Sequence, residues 1–248
     1  MLGGDECHTE CWAANPAIAA WAAAQNLTTD GAGEGSAFGW WVDQIVSVLQ
    51  EQGKTPMMWT PLEWNPANPP AALTRARATL LLWTGNLTAL ARNITITGQN
   101  DLVAAPAPWW YLDGGNSIHD AYSHAVFDLC PGCSAPQKAM IVGGEACMWG
   151  TNTDVTNIFG TVWPRLTAVA ERLWSAEDAQ YDLLDNSMRR ARLARCRLLA
   201  RGLPVPPLGG EVYDPDASHR SFSAAREWQW CQGDDQSFDA HLDMQTEP

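Results

Sequence analysis

Four short apolar runs, set between segments of helical period, constrain the fold of this chain more than any other feature. They are Lys54–Trp59, Ala78–Trp83, Leu102–Pro106 and Ala139–Gly143, the last continuing into Glu145-Ala146-Cys147-Met148-Trp149. Each reads as a short buried strand. Around them, Cys11–Ala24 is Ala- and Trp-rich with a helical period. Ser36–Gln52 reads as a stronger amphipathic helix, with Phe38, Trp41, Ile45, Val48 and Leu49 on one side and Gly53 ending it. Thr161–Ser175 and Asp182–Arg201 close the pattern as helices. The last carries Arg189, Arg190, Arg192, Arg195, Arg197 and Arg201, read as a mostly solvated face. Apolar strands alternating with helices predict an α/β fold with a parallel sheet covered by helices. From Leu203 the chain is Pro/Gly-rich and then polar, without period. This gives an expected division into a body over 1–203 and a tail over 204–248 that wraps the surface. No internal repeat is present.

Composition narrows the partners. The 248 residues are 46% hydrophobic and carry a net charge of -13, so phosphate-rich partners are repelled. Nucleic acid and anionic membrane surfaces are poor fits, and no apolar run is long enough to span a bilayer. Tryptophan is abundant, 14 residues against 5 Phe and 4 Tyr. These indoles either fill the core or stack on the apolar faces of pyranose rings. Three N-x-S/T sequons, at Asn26, Asn86 and Asn93, together with 7 cysteines and an acidic balance, lean toward the secretory pathway. No secretion signal is visible before Gly3. That leaves a cytosolic protein, or an N-terminus lying upstream, as the two readings.

Chemistry concentrates at Gly3-Gly4-Asp5-Glu6. Adjacent carboxylates compete for ionisation, so one can stay protonated as an acid while the other stays charged. Glycines let the backbone turn sharply and approach a substrate. The five histidines, His8, His119, His124, His219 and His241, have no metal spacing, and neither a metal nor a cofactor is expected. Cys130-Pro131-Gly132-Cys133 lacks a thioredoxin-like context and cannot complete a zinc site alone, so a loop staple or two loop thiols are the readings. The absence of G-x-S-x-G argues against a serine α/β hydrolase.

Several blocks together resemble family 20 glycoside hydrolases, the β-N-acetylhexosaminidases of the lysosomal type. They are Leu2-Gly3-Gly4-Asp5-Glu6, Cys11-Trp12, Trp59, Ala107-Pro108-Trp109-Trp110-Tyr111-Leu112-Asp113, Gly143-Gly144-Glu145-Ala146-Cys147-Met148-Trp149-Gly150, Trp163-Pro164-Arg165 and Ala170-Glu171-Arg172-Leu173-Trp174, spanning about residues 2–203. The resemblance implies a (β/α)8 barrel with its site at the C-terminal face. The four runs would be strands five to eight, with the N-terminal half of the barrel absent. Met1 stands where the family motif has His.

The resemblance also implies a retaining reaction in which the substrate's own 2-acetamido oxygen attacks the anomeric carbon. Glu6 would be the general acid/base, Asp5 the carboxylate that orients the acetamido N–H, and Tyr111 the hydroxyl that binds its carbonyl. Trp59, Trp83 and Trp149 would box the acetamido group. Trp110 would join the substrate-binding set and Asp113 would bind sugar hydroxyls. Thr151 stands where the family usually has an acid. Glu145 is expected in the barrel wall with Arg165 or Arg172 as partner, and His8 at the surface. Cys196 and Cys231 would form a disulfide, Cys11 would pair with a cysteine upstream, and Cys147 would be free and buried. The implied partner is a glycan ending in GlcNAc or GalNAc, in a lysosomal, vacuolar or secreted homo- or heterodimer. An inactive or merely sugar-binding fragment stays open as the alternative.

Overall fold

The structure, a computed structural model, describes residues 1–62, 64–176, 186–208 and Cys231. The chain divides into two compact units. The first comprises Met1–Ala107 and Val126–Glu145, and the second Pro108–Ala125 and Ala146–Pro248. This division differs from one body plus a tail. Most of the expected tail, the start of the expected last helix, His219 and His241 lie outside the described residues.

The first unit holds the sheet. Strands β1 (Met57–Trp59), β2 (Thr79–Leu82), β3 (Asp101–Ala104) and β4 (Ile141–Gly144) pair in sequence order, all parallel. Each strand is shorter than its apolar run. Pro56, lacking an N–H, ends the ladder before β1, yet its carbonyl accepts from Thr79 N at 3.0 Å. Register aligns Met58 with Leu80 and Leu102, and Trp59 with Leu81 and Val103. Successive side chains alternate between faces. Leu80 and Leu81 are both buried, so the sheet is covered on both sides at β2, as its apolar run predicts, while Val142 on β4 is exposed. Each such leucine contributes about 1.5–3 kcal/mol of burial. Leu2 extends the sheet beside β1 through a parallel bridge to Met58, its N–H donating to Met57 O at 2.7 Å.

The expected helix over Cys11–Ala24 is two helices, α1 (Glu10–Ala14) and α2 (Pro16–Ala24). Proline disfavours helical backbone in the residue before it. Asn15 accordingly turns extended and caps α2, its Oδ1 accepting from Ala17 N at 3.0 Å. Helix α3 (Ala37–Glu51) is capped by Ser36, whose Oγ accepts from Gly39 N at 3.0 Å. Gln52 follows it, and Gly53 leaves in the left-handed region at φ 66°. The buried stripe is Phe38, Val42 and Val46, at fourfold spacing. Trp41 and Val48, expected inside, are exposed, so the helix is rotated from the phase its apolar residues imply. Short α4 (Ala71–Arg75) and longer α5 (Leu87–Thr97) precede β2 and β3. Asn100, buried ahead of β3, donates to the carbonyls of Leu73 (3.1 Å) and Ala78 (2.9 Å). Before α8 (Ala135–Lys138), Cys130 and Cys133 form a disulfide, which answers the open reading of that pair.

The second unit is helical. Ala107–Trp110 forms the short α6, and Ile118–Ser123 forms α7. The expected Thr161–Ser175 helix splits into α9 (Ile158–Val162) and α10 (Arg165–Trp174), because Trp163, before Pro164, is extended. The last helix, α11, is described over Asn186–Ala200. Its arginines correct the solvated-face expectation. Arg192 and Arg195 are buried, and Arg195 Nε donates to Pro206 O at 2.7 Å. Arg190 Nε instead bonds Glu171, which also accepts from the buried Tyr122 hydroxyl. Long guanidinium stems cover apolar surface while their heads find acceptors. Cys196 is disulfide-bonded to Cys231. No helix among the described residues is long and apolar enough to cross a membrane.

Candidate active site

In the first unit, the acid pair lies just beyond the Leu2 bridge. Leu62 N donates to Asp5 O at 2.9 Å, so the pair's backbone is tied to the chain leaving the C-terminal end of β1. Asp5 is half-buried and Glu6 exposed. Gly4 has φ 95°, a region L side chains rarely adopt. A Cβ there would also lie 3.1 Å from the Phe38 ring and 3.2 Å from the Met58 methyl. The glycine therefore answers both a backbone and a packing demand.

Trp59 ends β1, and Trp83 follows β2 directly. Trp83 Nε1 donates to Thr60 O at 2.8 Å, while Trp83 O accepts from Ala107 N at 2.8 Å. The two indoles thus rise from the same end of neighbouring strands. Trp59 is 6% exposed and Trp83 is half-buried. The same unit has an apolar cavity of about 480 Å³ lined by Gly4, Cys7, Trp12, Trp21, Phe38 and Trp40, among others. Its α3 residues place it on the helix-covered side, and no carboxylate lines it.

In the second unit, Tyr111 bridges Cys147, with Leu112 N donating to Cys147 O (2.8 Å) and Cys147 N to Trp110 O (3.1 Å). Cys147 is buried and forms no disulfide among the described residues. The Tyr111 ring lies 6.1 Å from that of Trp149, tilted by 59°. Trp149 is exposed. Asp113 Oδ1 is buried and has no hydrogen-bond partner among the described residues. An unpaired buried carboxylate oxygen is costly and is relieved by a ligand hydroxyl. Trp110, expected among the substrate contacts, has no exposed surface. Its Nε1 donates to Ala121 O at 3.4 Å, and it belongs to this unit's core.

Two supporting residues hold the Tyr111 loop, and Asn116 lies outside every motif block. Asn116 Nδ2 donates to Tyr111 O at 3.1 Å, and Arg165 donates to Asn116 O at 2.9 Å and Thr161 O at 2.5 Å. The Asn after Gly114-Gly115 was the available signal, since Asn closes turns through its own amide. Arg172, the other residue considered for Glu145, donates to His124 O at 3.0 Å. Thr151 lies in an exposed 3-10 turn, Gly150–Asn152. His8 is exposed and accepts through its carbonyl from Cys11 Sγ at 3.1 Å; Cys11 is a free thiol here. The α7 cap supplies a shifted group. Asp120 accepts from Ser117 N (2.8 Å) and Oγ (2.9 Å), and the backbone bond holds its carboxyl below the ordinary value of 3.8.

Trp59 at the end of β1, Trp83 directly after β2 and the acid pair tied beside them belong to the first unit, and Tyr111, Asp113 and Trp149 to the second. The profile of the glycosyl hydrolase family 20 catalytic domain matches residues 1–177, and the chain belongs to that family. Among relatives, rat β-hexosaminidase subunit beta is 32% identical over 221 residues, covering 84% of this chain and 36% of the rat protein. Arabidopsis thaliana β-hexosaminidase 3 is 31% identical over 214 residues, covering 85% and 37%. The chain thus spans about a third of the length of these relatives. Flavobacterium johnsoniae chitobiase superposes with a TM-score of 0.63 at 27% identity, over 82% of this chain and 29% of that one. A Vibrio harveyi exo-β-N-acetylglucosaminidase solved with N-acetylglucosamine shares the fold, with a TM-score of 0.60 at 20% identity, over 84% and 32%.

Proposed function

We propose that this chain carries part of the active site of a β-N-acetylhexosaminidase, which releases terminal GlcNAc or GalNAc from β-linked glycans with retention. Its four strands correspond to strands five to eight of the family's barrel. The observation that carries the reading is the acid pair, tied by its backbone to the end of β1 beside Trp59 and Trp83. Glu6 protonates the leaving oxygen and then takes a proton from water. Asp5 orients the acetamido N–H and balances the charge that develops as the acetamido oxygen attacks the anomeric carbon. Tyr111 donates to the acetamido group's carbonyl and fixes the attack geometry. Trp59, Trp83 and Trp149 supply apolar walls, and Asp113 accepts from a sugar hydroxyl. A lysosomal, vacuolar or extracellular setting and a homo- or heterodimer belong to the same reading.

The test is hydrolysis of a chromogenic β-N-acetylglucosaminide by this chain and by the full-length gene product, each with and without Glu6→Gln. The substitution is expected to lower kcat by about 10²–10⁴-fold. Full activity in the variant removes Glu6 from its role. Because the chain spans about a third of its relatives, a second reading is retention of the sugar without turnover. GlcNAc binding by a chain inert in the assay would select it.

A further inference from the structure

The β2–α5 connection carries a residue that serves the fold with one atom and leaves another available. Asn86 is the N-cap of α5, and its Oδ1 accepts from Ala89 N at 3.1 Å. Its Nδ2 has no hydrogen-bond partner among the described residues, and the residue is exposed. Asn86-Leu87-Thr88 is an N-x-T sequon. The other two sequons are placed differently. Asn26 stands in a turn after α2 at φ 56°, and Asn93 lies inside α5, its Thr95 hydroxyl buried and donating to Ala91 O at 2.8 Å. Of the three, only Asn86 has its side-chain oxygen fixed by a cap. It also lies three residues beyond Trp83, at the strand end where Trp59 and Trp83 emerge.

We propose that Asn86 is N-glycosylated through Nδ2 while its Oδ1 goes on capping α5, which holds the oligosaccharide in a set direction beside the C-terminal end of β2. In the transfer, a bond forms between Nδ2 and C1 of a lipid-pyrophosphate-linked oligosaccharide. The C1–O bond to the pyrophosphate breaks, the pyrophosphate leaves with the electron pair, and one of the two amide protons passes to solvent. The amide stays planar and its oxygen stays an acceptor, so modification and capping use separate atoms. This inference rests on the secretory setting of the proposed function and needs no turnover.

The experiment is expression behind a secretion leader in a glycosylating eukaryotic host, followed by glycan release with peptide N-glycosidase in heavy-oxygen water and peptide mass spectrometry. Label at position 86 is the expected result. Thr88→Ala and Asn86→Asp each remove that label but keep a capping oxygen, whereas Asn86→Ala removes both. Amide exchange at Ala89 should then match in glycosylated chain, Thr88→Ala and Asn86→Asp. In Asn86→Ala it should be about fivefold faster, the loss expected of a cap. An unlabelled Asn86 overturns the proposal. So does a glycosylated chain whose Ala89 exchanges as fast as in Asn86→Ala. Neither result bears on Glu6, and the Glu6→Gln assay does not bear on Asn86.

Discussion

The two units hold their candidate site residues on different kinds of backbone. In the first, Trp59 and Trp83 issue from strands whose main chains form a parallel ladder sealed by leucines on both faces. In the second, Tyr111, Asp113 and Trp149 stand on irregular chain, fixed by one bridge to Cys147 and by side chains that donate to carbonyls. A strand-borne side chain is positioned by apolar burial, and a loop-borne one by polar groups with few alternatives. The units should therefore fail to different substitutions.

The largest contrast is expected from Leu80→Ala, which empties a fully buried site in the sheet. It should cost about 2–5 kcal/mol in denaturant unfolding, with hydrogen exchange accelerated first in β1–β3. Equal acceleration in α7, α10 and α11 would break the distinction. Next comes Glu171→Gln, which withdraws the charge shared by Tyr122 and Arg190. It should cost about 1–3 kcal/mol, read as faster exchange in α7 and α11 with the sheet unchanged. The smallest effect belongs to Asp120. Its folded carboxyl lies below its unfolded value of 3.8, so its stabilisation is fully present above that pH and is lost as pH falls through the folded value. Asp120→Asn should flatten that acid limb by less than about 1 kcal/mol, because solvent screens a half-exposed carboxylate. An unchanged acid limb would remove the cap from the second unit's set of polar supports.

The same contrast explains what could be read in the sequence. All four strands were legible, since an apolar run between helices has few other fates, and the parallel order followed. Their ends were not, because Lys54–Thr55 and Trp83 continue the first two runs without lying in β1 or β2. The break at Asn15–Pro16 was written in the residues, as a capping side chain followed by a proline, yet the Ala/Trp period masked it. The phase of α3 is not legible, because Trp41 and Val48 look like core in sequence while Phe38, Val42 and Val46 are the residues buried. Buried Arg192 and Arg195 were hidden for a related reason. In sequence Arg195 shows its charge but not the Pro206 carbonyl that accepts from it. For the site, blocks of motif located the loops and included Arg165, though as a partner for Glu145, while Asn116, which holds the Tyr111 loop, belongs to no block. Trp110 shows the limit of such blocks, for adjacency to Tyr111 does not make it face the same way.

Gly4 carries a consequence for transplantation. Its missing side chain leaves room for the Phe38 ring and the Met58 methyl immediately before Asp5 and Glu6. The acid pair is thus indexed to buried side chains of α3 and β1, and a borrowed Gly-Gly-Asp-Glu would bring the functional groups without the reference surface that sets their height. The portable part is the tetrapeptide together with the first turn of α3 and the middle of β1. A library that varies residues 38 and 58 jointly is the natural dial for moving that pair by fractions of an ångström.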